Sequence, residues 1–256
     1  MFFLILCLLQ LSCISSNNII TLYDNNLVNI RGKINSISVN NFAIDTNKIN
    51  TTKEIFLYIN SPGGSVMDGF AMIEQIKMLK LENITVSCIG DFSASMAFAI
   101  LQFCSNRYAL FSSVLMQHQM SLKLNGNLYG LDSYMNMIRD INTYLDEEQA
   151  SRINITMDNF IKKISVDWWI SGISAVKENV VDQIISIRCN KSLYALNETI
   201  EHITFFGSIN VVYSKCPLIK YPLDIILPKG VLMDEEILSI IDIDNMKKTK
   251  QYYSTY

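Results

Sequence analysis

Histidine, tryptophan and proline are scarce in this chain of 256 residues, which holds two, two and four of them. With His118 and His202 alone, and no CxxC pair, a zinc site is not expected. Charge of either sign is also sparse: net charge is −3, and "KKTK" (247–250) is the one basic cluster. That balance offers no general attraction for nucleic acid, and the cluster reads as a solvated tail. The six cysteines do not form a framework by spacing. Cys7 and Cys13 lie in an apolar leader, and Cys88 and Cys104 fall inside apolar runs, where buried thiols are expected. Cys189 and Cys216 stand isolated. No internal repeat or low-complexity tract occurs, and neither a metal nor an organic cofactor is expected.

Half of the residues are hydrophobic, enough for a sizeable core in one domain with appendages. The leader "MFFLILCLLQLSCISS" carries no charge, and none follows until Asp24. Its apolar run is short for a spanning helix and suits a secretory h-region, although the basic flank is missing. Signal, anchor, or a buried or interface-forming segment all fit. Secretion, membrane or organelle targeting is therefore open beside a cytoplasmic location.

From about residue 28, strand-like and helix-like runs alternate. "LVNIRGKI" (27–34), "EIFLYIN" (54–60) and "NITVSCIG" (83–90) read as strands. "VMDGFAMIEQIKMLK" (66–80) reads as a helix with Met67, Phe70, Ala71, Ile76 and Leu79 inward, and "SMAFAILQFCS" (95–105) as a nearly all-apolar helix. "RYAL" and "VLMQHQ" are two short strands split by a serine pair (112–113). Residues 128–150 form an amphipathic helix with Leu131, Met135, Ile138 and Leu145 on one face. Strand–helix–strand repetition implies parallel pairing with right-handed crossovers, hence an α/β fold. The pattern gives a leader over 1–18, a main domain over 19–190 and a strand-containing extension over 191–256.

Chemistry could reside at three places. "SPGGSV" (61–66) lacks the spacing and Lys-Ser/Thr of a phosphate loop, so its glycines mark a tight turn or a backbone N–H freed for a ligand. Ser95 opens a helix, as an ordinary N-cap or as a nucleophile whose oxyanion the Met96 amide could help hold; Ser93 is a rival. His118 could be its base, or a structural histidine on an apolar strand. Asp167, before "WWISG", is an orienting carboxylate, a helix cap or a surface acid.

Taken together and in order, these motifs resemble the proteolytic subunit of the Clp protease and its phage-type relatives. "YINSPGG" (58–64) is similar to the family's "INSPGG", "SASMA" (93–97) to "AASMG", "MQHQ" (116–119) to "MIHQ", and "DWWIS" (167–171) to the aspartate segment. "AVKENVVDQII" (175–185) matches a later family segment, and "SVMDG" (65–69) is closer to phage-type members. The resemblance covers residues 27–188. It implies a Clp protease/crotonase-like fold of repeated ββα units with a protruding handle helix at 128–150. It further implies Ser95 as nucleophile, His118 as general base and acid, Asp167 as orienting carboxylate, and an oxyanion hole from the Gly64 and Met96 amides. A side chain at position 64 is accordingly expected to cost activity before it costs the fold. The resemblance also implies a peptide or unfolded-protein substrate, a homo-oligomeric ring of seven, and an ATP-driven unfoldase partner. Departures include one more residue between Gly90 and Ser95 and Ala97 in place of a glycine. An inactive ring subunit remains an alternative. So do a signal-peptide-peptidase-like Ser–Lys protease, with Lys123 the nearest downstream lysine, and a crotonase-type acyl-CoA enzyme.

Overall fold

The computed structural model describes residues 19–49, 53–205 and 207–233. A parallel sheet dominates, in the order β1 (Ile19–Leu22), β7 (Gln183–Cys189), β5 (Asn106–Gln117), β4 (Thr85–Ala94), β3 (Glu54–Ser61) and β2 (Leu27–Arg31). β6 (Trp168–Ser171) joins antiparallel to the end of β5. The α/β expectation is met. Buried on both faces, β3 is a near-continuous apolar run over Ile55–Ile59 rather than an alternating one. β4, equally buried, takes in the small polar residues Ser87 and Ser93 and the charged Asp91.

On one face the helices α1 (Ser36–Lys48), α2 (Val66–Leu81), α3 (Met96–Gln102), α4 (Leu128–Ile153), α5 (Met157–Ile164) and α6 (Gly172–Ala175) follow in chain order. The helix α2 starts where the Ser65 side chain accepts from the Asp68 amide, with Asp68 itself in the positive first turn. Its buried face is Gly69, Met72, Ile73 and Ile76. Met67, expected inward, is exposed, while Phe70 and Leu79 are half-buried at the margin of the core. The expected stripe of α4 holds at its lower end: Ile138 and Leu145 are buried, and the helix runs on to Ile153 before Asn154 stops it in a left-handed turn. Its first turns project outward, with Leu128 and Tyr129 exposed.

The serine pair 112–113 does not end a strand as expected. Instead β5 runs through it with a jump in pairing: Gly90 faces Ala109, and Phe92 faces Val114. The Ser113 hydroxyl donates to the Gly90 carbonyl at 2.6 Å and accepts from the Leu110 amide at 2.7 Å, so the kink is internally bonded. The first half of β5 pairs with β7 and the second with β6.

The extension is not a detached appendage. A short 3₁₀ turn (Lys191–Tyr194) leads to an antiparallel sheet of β8 (Asn197–Thr204), β9 (Gly207–Ser214) and β10 (Asp224–Ile226). Leu193 and Cys216 pack with Leu22, Leu27, Phe56, Tyr58, Ile89, Ile185 and Cys189 as a second core on the sheet's other face. Polar anchors add to it: Asn29 and Arg31 of β2 both bind Glu198 of β8, the latter at 2.5 Å. Burial pushes the Glu198 carboxyl up, and Arg31 opposes the shift.

Cysteine usage requires a correction. Cys88 is bonded to Cys104, and Cys189 to Cys216, with Cα separations of 5.9 and 5.8 Å. Cys88 and Cys104, expected as buried thiols, are paired because α3 folds back along β4. Cys189 and Cys216, isolated in the sequence, are paired because the extension folds back onto β7. Such proximity is invisible in linear spacing. The leader, with Cys7 and Cys13, lies outside the described residues. Among those described, no helix is long and apolar enough to cross a membrane.

Candidate active site

Ser95 stands between β4 and α3 with φ 56° and ψ −122°, a conformation that few non-glycine residues adopt. Its amide donates to the Met116 carbonyl at 2.9 Å, which fixes the turn to β5, and its carbonyl accepts from Ala99 to begin the helix. The side chain does not cap that helix. The hydroxyl lies 2.9 Å from Nε2 of His118, the residue after β5. Ser93, the rival, is fully buried within β4.

His118 is held from several sides. Its amide donates to the Gln117 side chain at 3.1 Å, Gln117 donates to Gln149 of α4 at 2.5 Å, and Gln149 donates to the Leu145 carbonyl at 3.0 Å. Both glutamines are buried. Gln119 donates to the Ile164 carbonyl at the end of α5. The antiparallel register sets Gln117 against Trp168, and one step further along lie His118 and Asp167. The Asp167 carboxylate is 3.9 Å from the His118 Nδ1, within ion-pair range but beyond hydrogen-bond distance, and largely exposed. The three sequence-derived residues therefore converge. His202 does not take part; it sits on β8, where burial and then Lys33 push its pKa down.

The two glycines divide their work in an unexpected way. A Cβ on Gly63 (φ +88°) would meet the Ala94 carbonyl at 2.6 Å and the Met96 amide and Ser95 Cβ at 2.8 Å. Gly63 is thus the residue pressed against the serine turn. On Gly64 a Cβ would run into the Ile34 backbone, which bridges to Gly64 and bonds to Gly63 and Ser65 at 2.9 Å. Against the expectation that a side chain at 64 costs activity before the fold stands the direction of the clash, which is with a neighbouring backbone rather than with open site space.

The additional residue between Gly90 and Ser95 is absorbed at a β-bulge. Against β3, Ile59 faces Gly90 and Asn60 faces Phe92, so Asp91 is left over. Register is restored before Ser95. The Asp91 carboxylate is buried, accepts from the Tyr58 hydroxyl at 2.8 Å, and pairs with Lys220 of the extension at 2.7 Å. Burial and the neighbouring carboxylate push the Tyr58 phenol far up. Sequence spacing exposed the insertion but not its partner.

Behind the site, Arg107 binds Asp182 at 2.6 Å and Gln102 of α3 at 2.7 Å, which ties β5 to the strand–helix unit carrying Ser95. Burial raises the Asp182 carboxyl, and the Arg107 bonds outweigh it to leave a lowered pKa. Among the described residues, no cluster of His, Cys, Asp and Glu could hold a metal ion.

A family model described as Clp protease matches residues 13–188, more than half of the chain. The chain belongs to the Clp protease family. Membership makes it a serine peptidase in general terms, of a family whose members assemble into oligomeric rings acting on peptides. The matched span includes Ser95, His118 and Asp167 and stops before the extension. The Clp protease match favours peptide hydrolysis over the acyl-CoA chemistry of the crotonase alternative.

Proposed function

We propose that this Clp-family chain is a serine endopeptidase working through Ser95, His118 and Asp167. The observation that carries the reading is the 2.9 Å approach of the His118 Nε2 to the Ser95 hydroxyl. In this mechanism Ser95 Oγ bonds to the scissile carbonyl carbon while its proton passes to Nε2. The oxyanion that forms is received by the backbone N–H groups of Met96 and Gly64; Met96 lies in the first turn of α3, where amides lack helical partners. Collapse breaks the C–N bond, and the leaving amine takes the proton from Nε2. Water activated by the same imidazole then hydrolyses the acyl-enzyme. Asp167 orients Nδ1–H and balances the imidazolium; its 3.9 Å separation tightens as substrate seats, since such contacts are commonly long in unliganded enzymes.

In its fuller form the reading places the site inside a homo-oligomeric chamber, a ring of seven fed by an ATP-driven unfoldase, with α4 as the handle between rings. "SVMDG" aligns it with phage-type members.

The test is labelling of the purified protein with a fluorophosphonate. We expect modification at Ser95, abolished by Ser95→Ala and reduced at least 100-fold in rate by His118→Ala, in the usual range for removing a general base. An assembled oligomer that stays unlabelled would instead mark an inactive ring subunit. Labelling that survives His118→Ala but is lost on replacing Lys123 would mark a Ser–Lys enzyme; Lys123 is exposed in the segment before α4.

A further inference from the structure

Two features lie outside the hydrolytic site and point the same way. The first is the pair of buried disulfides, Cys88–Cys104 and Cys189–Cys216. Such bonds persist in oxidising compartments and are rare where thiol buffers keep cysteine reduced. The second is a set of Asn-Xaa-Thr triplets, the acceptor pattern for N-linked oligosaccharide. Asn83-Ile84-Thr85 and Asn154-Ile155-Thr156 are the two best presented.

Asn83 is exposed in the turn between α2 and β4, and Asn154 is exposed where α4 ends; both adopt φ 62°. Among the described residues, neither side-chain amide is engaged in a hydrogen bond. Asn190 and Asn197 head similar triplets, but the Asn190 side chain already accepts from the Ser192 amide and hydroxyl. Asn197 is held in β8 opposite Ser214, with the next residue, Glu198, bound to Arg31. Asn83 and Asn154 also share one pole of the molecule. Lys80 of α2 reaches the Phe103 carbonyl, Arg152 of α4 reaches the Ser105 carbonyl, and Ser105 bonds to Val86 at the start of β4. Ser95 follows the far end of that strand, roughly 30 Å away at the rise of an extended chain. Oligosaccharides at this pole would leave the hydrolytic site clear.

We propose that Asn83 and Asn154 are N-glycosylation sites and that the chain matures in an oxidising secretory compartment. The run "FFLILCLLQL" (2–11) has the composition of the h-region that export there requires. In the transfer, Asn Nδ2 bonds to the anomeric carbon of an oligosaccharide carried on a lipid diphosphate. The carbon–oxygen bond to the diphosphate breaks, the lipid diphosphate leaves with the bonding pair, and the Nδ2 proton passes to a base of the transferase. Each disulfide forms by loss of two protons and two electrons from a cysteine pair, reducing the disulfide of an oxidoreductase to a dithiol. In a ring assembly, the pole bearing these groups must be a face that no neighbour covers.

The experiment is expression of the full chain in a eukaryotic secretory host, then peptide N-glycosidase treatment in ¹⁸O water. An occupied asparagine becomes an ¹⁸O-marked aspartate, and we expect that mark at 83 and 154. Thr85→Val should erase the first, with a residue suited to the strand. Thr156→Asp should erase the second while keeping the cap that Thr156 provides to α5. Circular dichroism checks that both variants fold. Alkylation before reduction should leave Cys88, Cys104, Cys189 and Cys216 unmodified. A chain that passes through the secretory route unmarked at both asparagines, or is held in the cytosol with those four thiols alkylated, overturns the proposal. None of these readouts depends on peptide hydrolysis, so their failure is distinct from failure of the protease reading.

Discussion

Gly63 touches the nucleophile turn through space that a single methyl group would fill. Gly63→Ala should therefore slow fluorophosphonate labelling of Ser95 at least 10-fold, because the methyl displaces the Met96 amide and Ser95 Cβ. Its left-handed φ adds roughly 1–3 kcal/mol of destabilisation. Gly64→Ala should lower the melting temperature more than Gly63→Ala does, since its Cβ would come closer to the Ile34 carbonyl oxygen than the 2.6 Å that separates a Cβ at Gly63 from its nearest backbone atom. Labelling rates and thermal melts on the two variants separate these outcomes; equal labelling of Gly63→Ala and the unmodified chain would refute the first. Ser95, His118 and Asp167 were legible in the sequence because their motifs occur in a fixed order with flanking residues attached. The distinction between the two glycines was not legible. It depends on which neighbouring backbone each one meets, and nothing in "SPGG" encodes that.

At the scale of the element, α4 carries a buried charge. Burial pushes Asp146 up to about 6, and a 2.7 Å bond from Asn142 offsets this only in part. A carboxyl whose folded pKa is raised favours the folded state while protonated. Its contribution therefore declines as pH rises from its ordinary value near 4 through about 6. Asp146→Asn should raise the melting temperature by several degrees near neutral pH and leave it unchanged at pH of about 4, as followed by circular dichroism melts. An equal effect at both pH values would show that the carboxyl is not desolvated in the folded chain. The helix itself was legible from apolar spacing over four turns. The division within it, between outer turns that project and inner turns that carry Gln149 and Asp146 into the core, was not. Polar residues at buried positions break the very periodicity used to find the helix.

At the scale of the molecule, the sheet has two cores, and the sequence pattern revealed one. The helix-facing core follows from alternating strands and helices. The other is closed by Leu193 and Cys216, from a region whose pattern is weak because it is short, polar and pinned rather than periodic. Cys189→Ala with Cys216→Ala should cost about 2–4 kcal/mol and lower the melting temperature by roughly 5–15 °C. Calorimetry under non-reducing conditions measures this, and an unchanged melt would mean that packing alone secures the extension.

Asp91 adds a consequence for anyone trimming this chain to a minimal peptidase. The inserted residue in the nucleophile strand and Lys220 in the extension are two halves of one arrangement. A truncation placed before Lys220 would remove the cation and leave the carboxylate buried four residues before Ser95. A shortened form would thus have to replace Asp91 together with the other groups the extension serves: Arg31, which pairs with Glu198, Cys189, which pairs with Cys216, and the apolar sheet face that Leu193 and Cys216 cover.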